Sequence, residues 1–412
     1  MFSFLIKVGR IYRRTLIAGT KVIVVVGSLG KTTTTGTIST ALGCAGRRVS
    51  YSNYGSSLAE NLLSIKPWDR FGVLEAGISR PGMMGANAYL TRPDIVVVTS
   101  IKLEHFRSFS SPEETRNEKV KILTGLTPTG TAVLNGDDPH VLWMASQTKA
   151  QIVTYGFGEN CMVRAMDVQY IWPEGMTVRI RYQDQEWEVK TRLLGRHFVY
   201  PLLSSVAVAI ICKYDVSSAI KNLESMPPSK SRFELIPLDN DVKVIDDTYK
   251  GGIDTFDSAL DMFAKVRAQR KLMICGNIED PPGNSYETYR RLGQYIGQTV
   301  DKVLLVGGME LEKTRAGFVG SGKDRSDAVY IKNDVYQAIE LIRGMIQPGD
   351  VILVKGRGTQ RLHRIVLALR QIRVTCPVKI CNVKVHTCDE CPMLDKEQAD
   401  FQNRFILPYI KK

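Results

Sequence analysis

Residues 21–36 read KVIVVVGSLGKTTTTG, and no other stretch constrains the fold as strongly. Its first part is almost wholly apolar and β-branched. Such a strand is buried on both faces and needs helices above and below it. The strand ends at Val26, and Gly27 and Gly30 then let backbone N–H groups approach an anion before a helix begins near Lys31. Lys31 would reach the outer phosphates of a nucleotide and the Thr32 hydroxyl would hold magnesium, with the positive helix terminus behind them. The strict Walker spacing calls for glycine at position 25, where this chain has Val25, so the form is the shorter G-x-x-G-K-T. A glycine turn without a ligand is the plainer reading. A lysine beside a helix N-terminus is, however, repelled by the dipole unless an anion lies there.

The same rhythm continues along the chain. Buried-strand runs FGVLEA, DIVVVTSI and TAVLNGD follow, with a helical SPEETRNEKVKILTGL before the last. Alternating apolar runs and helices make an α/β parallel sheet. Between about Cys161 and Leu194 the period becomes two (MTVRIRY, EWEVKTRL), which predicts an antiparallel flap. A helix from Tyr200 to about Lys213 closes this part, and Pro227, Pro228 and Ser229 read as a linker. A second α/β set then runs through FELIPL, VKVIDD, KLMICG, KVLLVG, AVYIK and VILVKG. The predicted organisation is a basic extension over 1–20, a nucleotide-binding α/β domain over 21–228, a smaller Rossmann-like α/β domain over 229–372, and a cysteine-containing tail over 373–412.

Charge narrows the partners. The formal net charge of the 412 residues is +13, which favours an acidic partner such as a nucleotide, a carboxylated substrate or an anionic membrane face. No basic run is interleaved with aromatics, which argues against nucleic acid. Eight scattered cysteines and no uncharged apolar run of spanning length fit a cytoplasmic enzyme. The N-terminal MFSFLIKVGRIYRRTLIAGTK interrupts its apolar residues with Lys7, Arg10, Arg13 and Arg14, unlike a signal peptide. It reads either as a helix packed on the first domain or as a basic amphipathic helix resting on the inner membrane face.

GSLGKTTT resembles the nucleotide loop of the Mur ligases and of folylpolyglutamate synthase, and further motifs match that family in order. They are LEAGISRPGMM, the segment LTRPDIVVVTSIKLEHFRSFSSPEETRNEKVKILTGL, VLNGDD, SRFELI with VIDDTY, MICGN and ILVKG. The long segment is closest to the MurF type, which adds D-alanyl-D-alanine. The similarity spans roughly 21–370. It implies ATP and Mg2+ as cofactors, with Gly27, Ser28, Gly30, Lys31, Thr32 and Thr33 around the phosphates. It also implies Glu75 as a magnesium ligand and His105 near a second magnesium. Lys119 falls where several members carry a carbamylated lysine, Asn135 where they contact adenine, Arg232 where they contact phosphate and Asp247 where they contact ribose, the last two brought in when the domains close. A lone strand-end acid, a lone histidine or a lysine on a charged helix would each, by itself, more often be structural.

The implied activity is amide formation: ATP phosphorylates a carboxylate and an amine attacks the acyl-phosphate, the protein supplying position and charge neutralisation. Three departures mark this chain. The phosphate loop starts at Gly27, which leaves no room for the first domain that holds the UDP moiety in Mur ligases proper. YKGGID, with Lys250, Gly251 and Gly252, replaces Y-N-A-N-P, and GRHFVYP, with Phe198 and Pro201, replaces G-x-H-N-x-x-N. These favour an anionic envelope-polymer or polysaccharide carboxylate and an amino acid as substrates. A MurF-like peptidoglycan-precursor ligase is the alternative, and a P-loop phosphotransferase or nucleotide switch a further one. In the tail, Cys376, Cys381, His386, Cys388 and Cys391 have a spacing that could hold structural Zn2+.

Overall fold

The computed structural model describes residues 2–44, 55–102, 109–381 and 387–396. The chain divides into two compact units, Met1–Pro227 and Pro228–Lys412.

The first unit is built on an eight-stranded sheet in the order β2-β1-β3-β4-β5-β6-β7-β8. Its strands are β1 (Lys21–Val26), β2 (Phe71–Glu75), β3 (Ile95–Val98), β4 (Thr131–Asn135), β5 (Gln151–Gly156), β6 (Val163–Ile171), β7 (Gly175–Tyr182) and β8 (Gln185–Thr191). Pairings through β6 are parallel, and β6-β7-β8 form the antiparallel flap. Val22 to Val26 are all fully buried. Each such side chain contributes roughly 1.5–3 kcal/mol of burial, which is why this unbroken run sits inside the sheet.

Five helices matter to the site: α1 (Phe2–Arg14), α2 (Lys31–Ala41), α3 (Gly55–Ser64), α4 (Met83–Thr91) and α5 (Pro112–Lys119). The stretch read as one helix from Ser111 to Leu126 is in fact α5 followed by a 3-10 segment, Val120–Gly125. A Cβ on Gly125 would lie 2.5 Å from the Ala88 carbonyl oxygen, so the chain must tighten and end its helix against α4. α5 starts firmly: Ser111 Oγ accepts from Glu114 N, and the Glu114 carboxylate accepts from Ser110 N at 2.7 Å.

The second unit carries a six-stranded sheet, order β13-β12-β11-β14-β10-β9. Its strands are β9 (Glu234–Pro237), β10 (Lys243–Asp247), β11 (Arg270–Cys275), β12 (Lys302–Gly307), β13 (Ala328–Lys332) and β14 (Asp350–Lys355). Only β9 is antiparallel to its neighbour. Both sheets are covered by helices, giving the α/β class read from the sequence. No described helix is long and apolar enough to cross a membrane.

Candidate active site

From β1 the chain crosses first to β2 on one side and later to β3 on the other, so the carboxyl end of β1 is a topological switch point. The loop 27–30 occupies it. Gly27 has φ +146°, and a Cβ there would overlap the Thr99 hydroxyl and lie 3.0 Å from Ser100 N. Gly30 caps α2 in the left-handed conformation, φ +80°. Both positions therefore require glycine. The loop is fastened to the segment after β3: Ser28 N donates to Ser100 O at 2.7 Å, Thr99 Oγ1 to Leu29 O at 2.6 Å, and Ser28 Oγ exchanges bonds with the Lys102 backbone.

Two lysines meet at this loop. Lys31 Nζ donates to the carbonyls of Gly27 and Ser28, both at 2.8 Å. These carbonyls offset the dipole repulsion that made the lysine conspicuous in the sequence. Lys119, the last residue of α5, is only 1% exposed and donates from Nζ to Ser28 Oγ at 3.1 Å. Two ammonium groups are thus gathered at the N-terminus of α2, an end of a helix that favours negative charge.

The remaining candidates in this unit are spread around the loop. Thr32 is exposed on the first turn of α2, and Thr33 is buried. Glu75 ends β2, is 6% exposed, and pairs in register with Val25. The Asn135 amide at the end of β4 donates to Thr99 O at 2.8 Å and accepts from Asp137 N at 3.1 Å. Asp137 in turn accepts from Phe157 N and Gly158 N. Burial, and next the Asp137 charge, push the Cys161 thiol up to about 11, so it stays protonated and inert. His105 lies outside the described residues.

Arg232 and Asp247 belong to the second unit. Ser231 and Phe233, on either side of Arg232, both adopt left-handed backbone, φ +55° and +52°. Such strain costs on the order of 1–3 kcal/mol per residue and persists only where surroundings enforce it. Here Ser231 Oγ donates to Asp246 at 2.8 Å, Ser231 N to Glu234 at 2.8 Å, and Phe233 N to Asp247 at 3.2 Å. The Arg232 guanidinium lies 3.8 Å over the Tyr249 ring. Sequence reasoning missed Lys355: it is fully buried at the end of β14 and its Nζ bonds Asp247 at 2.5 Å. A lysine closing the apolar run VILVK was the available signal. It also missed a cavity of about 290 Å3 beside the ends of β11 and β14, lined by Asn277, Tyr289, Glu310 and Arg357 among others.

The described part of the tail does not bring the zinc candidates Cys376, Cys381, Cys388 and Cys391 together. Among the described residues no three His, Cys, Asp or Glu side chains converge to hold a metal. Instead the Arg364 guanidinium donates to Cys376 Sγ at 3.2 Å and also bonds Cys388, drawing both buried thiols to a cation that would repel a metal ion. His386 lies outside the described residues.

The Mur ligase middle-domain family matches residues 25–209, and the Mur ligase glutamate-ligase-domain family matches 231–358. The chain is 27% identical over 354 residues to the UDP-N-acetylmuramoyl-tripeptide--D-alanyl-D-alanine ligase of Bacillus subtilis, covering 84% of this chain and 75% of that one. It is 27% identical to the same-named enzyme of Mycobacterium tuberculosis, covering 85% and 73%. Among solved structures, MurF from Acinetobacter baumannii superposes with a TM-score of 0.80 at 21% identity, covering 90% of this chain and 80% of that one. MurF from Thermotoga maritima in complex with ADP gives 0.76 at 19% identity, covering 90% and 83%.

Proposed function

Because the chain belongs to the Mur ligase superfamily, we propose that it joins the peptide carboxylate of a peptidoglycan-type precursor to the amine of an amino acid or dipeptide, through an acyl-phosphate formed from ATP. The observation that carries this reading is the convergence of Lys31 and Lys119 on Ser28, within a glycine loop at a helix N-terminus. Relatives named as UDP-N-acetylmuramoyl-tripeptide--D-alanyl-D-alanine ligases favour the MurF-like alternative over the envelope-polysaccharide reading. A phosphotransferase or switch built on the loop alone gives no reason for a glutamate-ligase domain at 231–358.

In this scheme the N–H groups of 27–30 and the Lys31 ammonium hold the outer phosphates, while Lys119 neutralises charge beside Ser28. A carboxylate oxygen of the first substrate attacks the γ-phosphorus and ADP leaves. The amine then attacks the acyl carbon, its C–O bond breaks, and phosphate departs as the nitrogen gives up a proton. Thr32 and Glu75 offer the hard oxygen donors that suit magnesium, which when bound would neutralise phosphate charge. Carbamylation, which the family resemblance implies, would instead replace the Lys119 ammonium by an anionic carbamate, which would serve magnesium and no longer neutralise phosphate. Gln360 Oε1 accepts from Asn277 N at 2.7 Å and fixes one wall of the second-unit cavity, where Glu310 and Arg357 suit the ammonium and carboxylate of an incoming amino acid. Gly251 cannot carry a side chain toward this region, since its Cβ would stand 2.5 Å from Arg357 Cα. Asn135, Arg232 and Asp247 are proposed nucleotide contacts.

The test is ADP release measured with both substrates, with each alone, and with Lys31→Ala. The reading requires release that depends on both acid and amine and on Lys31. Release with neither substrate, or an active K31A, would defeat it.

A further inference from the structure

Helix α1 is apolar on two faces, and the first unit uses only one. Its inner face is fixed by Arg13, which is 3% exposed and donates to the carbonyls of Ile17, Thr91 and Arg92 and to Asp94 at 2.9–3.0 Å. Gly9 permits the close approach, since a Cβ there would already stand 3.1 Å from Leu90 Cδ1. Leu5, Ile6, Tyr12 and Ile17 join the core on that side. The helix therefore cannot roll to bury its other face.

That outer face carries Phe4 and Ile11, 67% and 63% exposed, and Leu16 follows in the next turn at 61%. Lys7 is exposed among them, at the i, i+3, i+7 spacing that places residues 4, 7 and 11 on one stripe. Arg10 and Arg14 flank it, their guanidinium carbons 3.9 and 5.2 Å from the ring centre of half-exposed Tyr89. At the helix's far end the 65–70 loop is stitched on by Tyr12 OH to Ile65 O and Thr20 Oγ1 to Asp69 O. It presents Trp68 at 80% exposure between exposed Lys66 and Arg70. The first acid in the whole chain is Glu60.

We propose that this face docks the protein on a lipid bilayer rich in anionic headgroups, with α1 lying in the interfacial plane. Apolar side chains framed by arginine and lysine are the chemistry of interfacial helices: the apolar residues enter the headgroup boundary and the cations pair with lipid anions. A second copy of this chain is disfavoured as the occupant, because pairing the faces would oppose their cations. The inference is independent of the ligase reading, and K31A should bind lipid as the unaltered protein does.

The experiment is co-sedimentation of the full chain with vesicles of phosphatidylcholine alone and of phosphatidylcholine with one-third phosphatidylglycerol, at low and high salt. Binding should appear on the anionic vesicles and weaken with salt. Phe4→Ser with Ile11→Ser should reduce the partition coefficient at least about tenfold, and Lys7→Glu by about tenfold, with melting temperatures unchanged. Equal binding to both vesicles, no binding to either, or binding indifferent to the F4S/I11S and K7E changes would overturn the proposal. So would a dimer abolished by F4S/I11S in the absence of lipid binding. Retention on acidic protein alone would overturn it too.

Discussion

Replacing Gly27 by alanine tests whether the loop geometry is as tightly determined as it looks. At φ +146° an L-residue carries backbone strain on the order of 1–3 kcal/mol. The new methyl would also strike the Thr99 hydroxyl, whose bond to Leu29 O at 2.6 Å must then break, at about 1 kcal/mol. The expected loss is therefore about 2–4 kcal/mol, or roughly 5–15 °C in melting temperature for a unit of this size. All four tryptophans (Trp68, Trp143, Trp172 and Trp187) lie in the first unit, so tryptophan fluorescence during urea unfolding reports on that unit alone. Adding Thr99→Ala should relieve the clash and recover part of the loss, leaving the backbone strain, and a double-mutant cycle isolates that coupling. If G27A unfolds like the unaltered protein, or if T99A brings no relief, the loop does not have the constraint described.

Lys31→Ala should abolish turnover while the tryptophan unfolding curve still shows a cooperatively folded first unit, shifted by no more than about 1.5–3 kcal/mol for the loss of the part-buried bonds to the Gly27 and Ser28 carbonyls. Lys119→Met should lower kcat/KM by at least about a hundredfold. A K119M protein that no longer unfolds cooperatively by circular dichroism would instead mark Lys119, which is buried and bonded to Ser28 Oγ, as structural. His363 is buried, which disfavours its charge, yet its bond to Asp246 at 2.6 Å and the carboxylate charge outweigh burial and raise its pKa. Its stabilisation is thus fully present below the unfolded value of about 6.5 and is lost as pH rises through the raised folded value. Urea unfolding followed by circular dichroism from pH 6 to 9 should show that decline, and His363→Gln should flatten it.

The fold was legible because its strands are extreme. KVIVVV, DIVVVTSI and VILVKG can only be strands covered on both faces, and the change to alternation near MTVRIRY marks the flap. The break after Lys119 was not legible, since Gly125 is a tertiary requirement imposed by α4 rather than a local signal. At the site, the glycine loop announces itself, whereas the partners that hold it do not. Thr99 and Ser100 are ordinary residues some seventy positions away, and only the adjacency of β1 and β3 makes them neighbours. Lys355 was hidden for the opposite reason: a strand-end lysine is normally taken to point outward, and its bond to Asp247 depends on the pairing of β10 with β14. The cysteine spacing in the tail suggested zinc because spacing carries no information about Arg364, which sits twelve residues before Cys376 and takes its thiol.

The most direct measurement follows the oxygen. With the carboxylate substrate labelled by 18O, ATP and the amine, the phosphate released should contain one labelled oxygen, because that atom bridges carbon and phosphorus before the amine displaces it. Unlabelled phosphate from a reaction that still forms the amide would mean that no acyl-phosphate is made, and the account would be wrong at its centre.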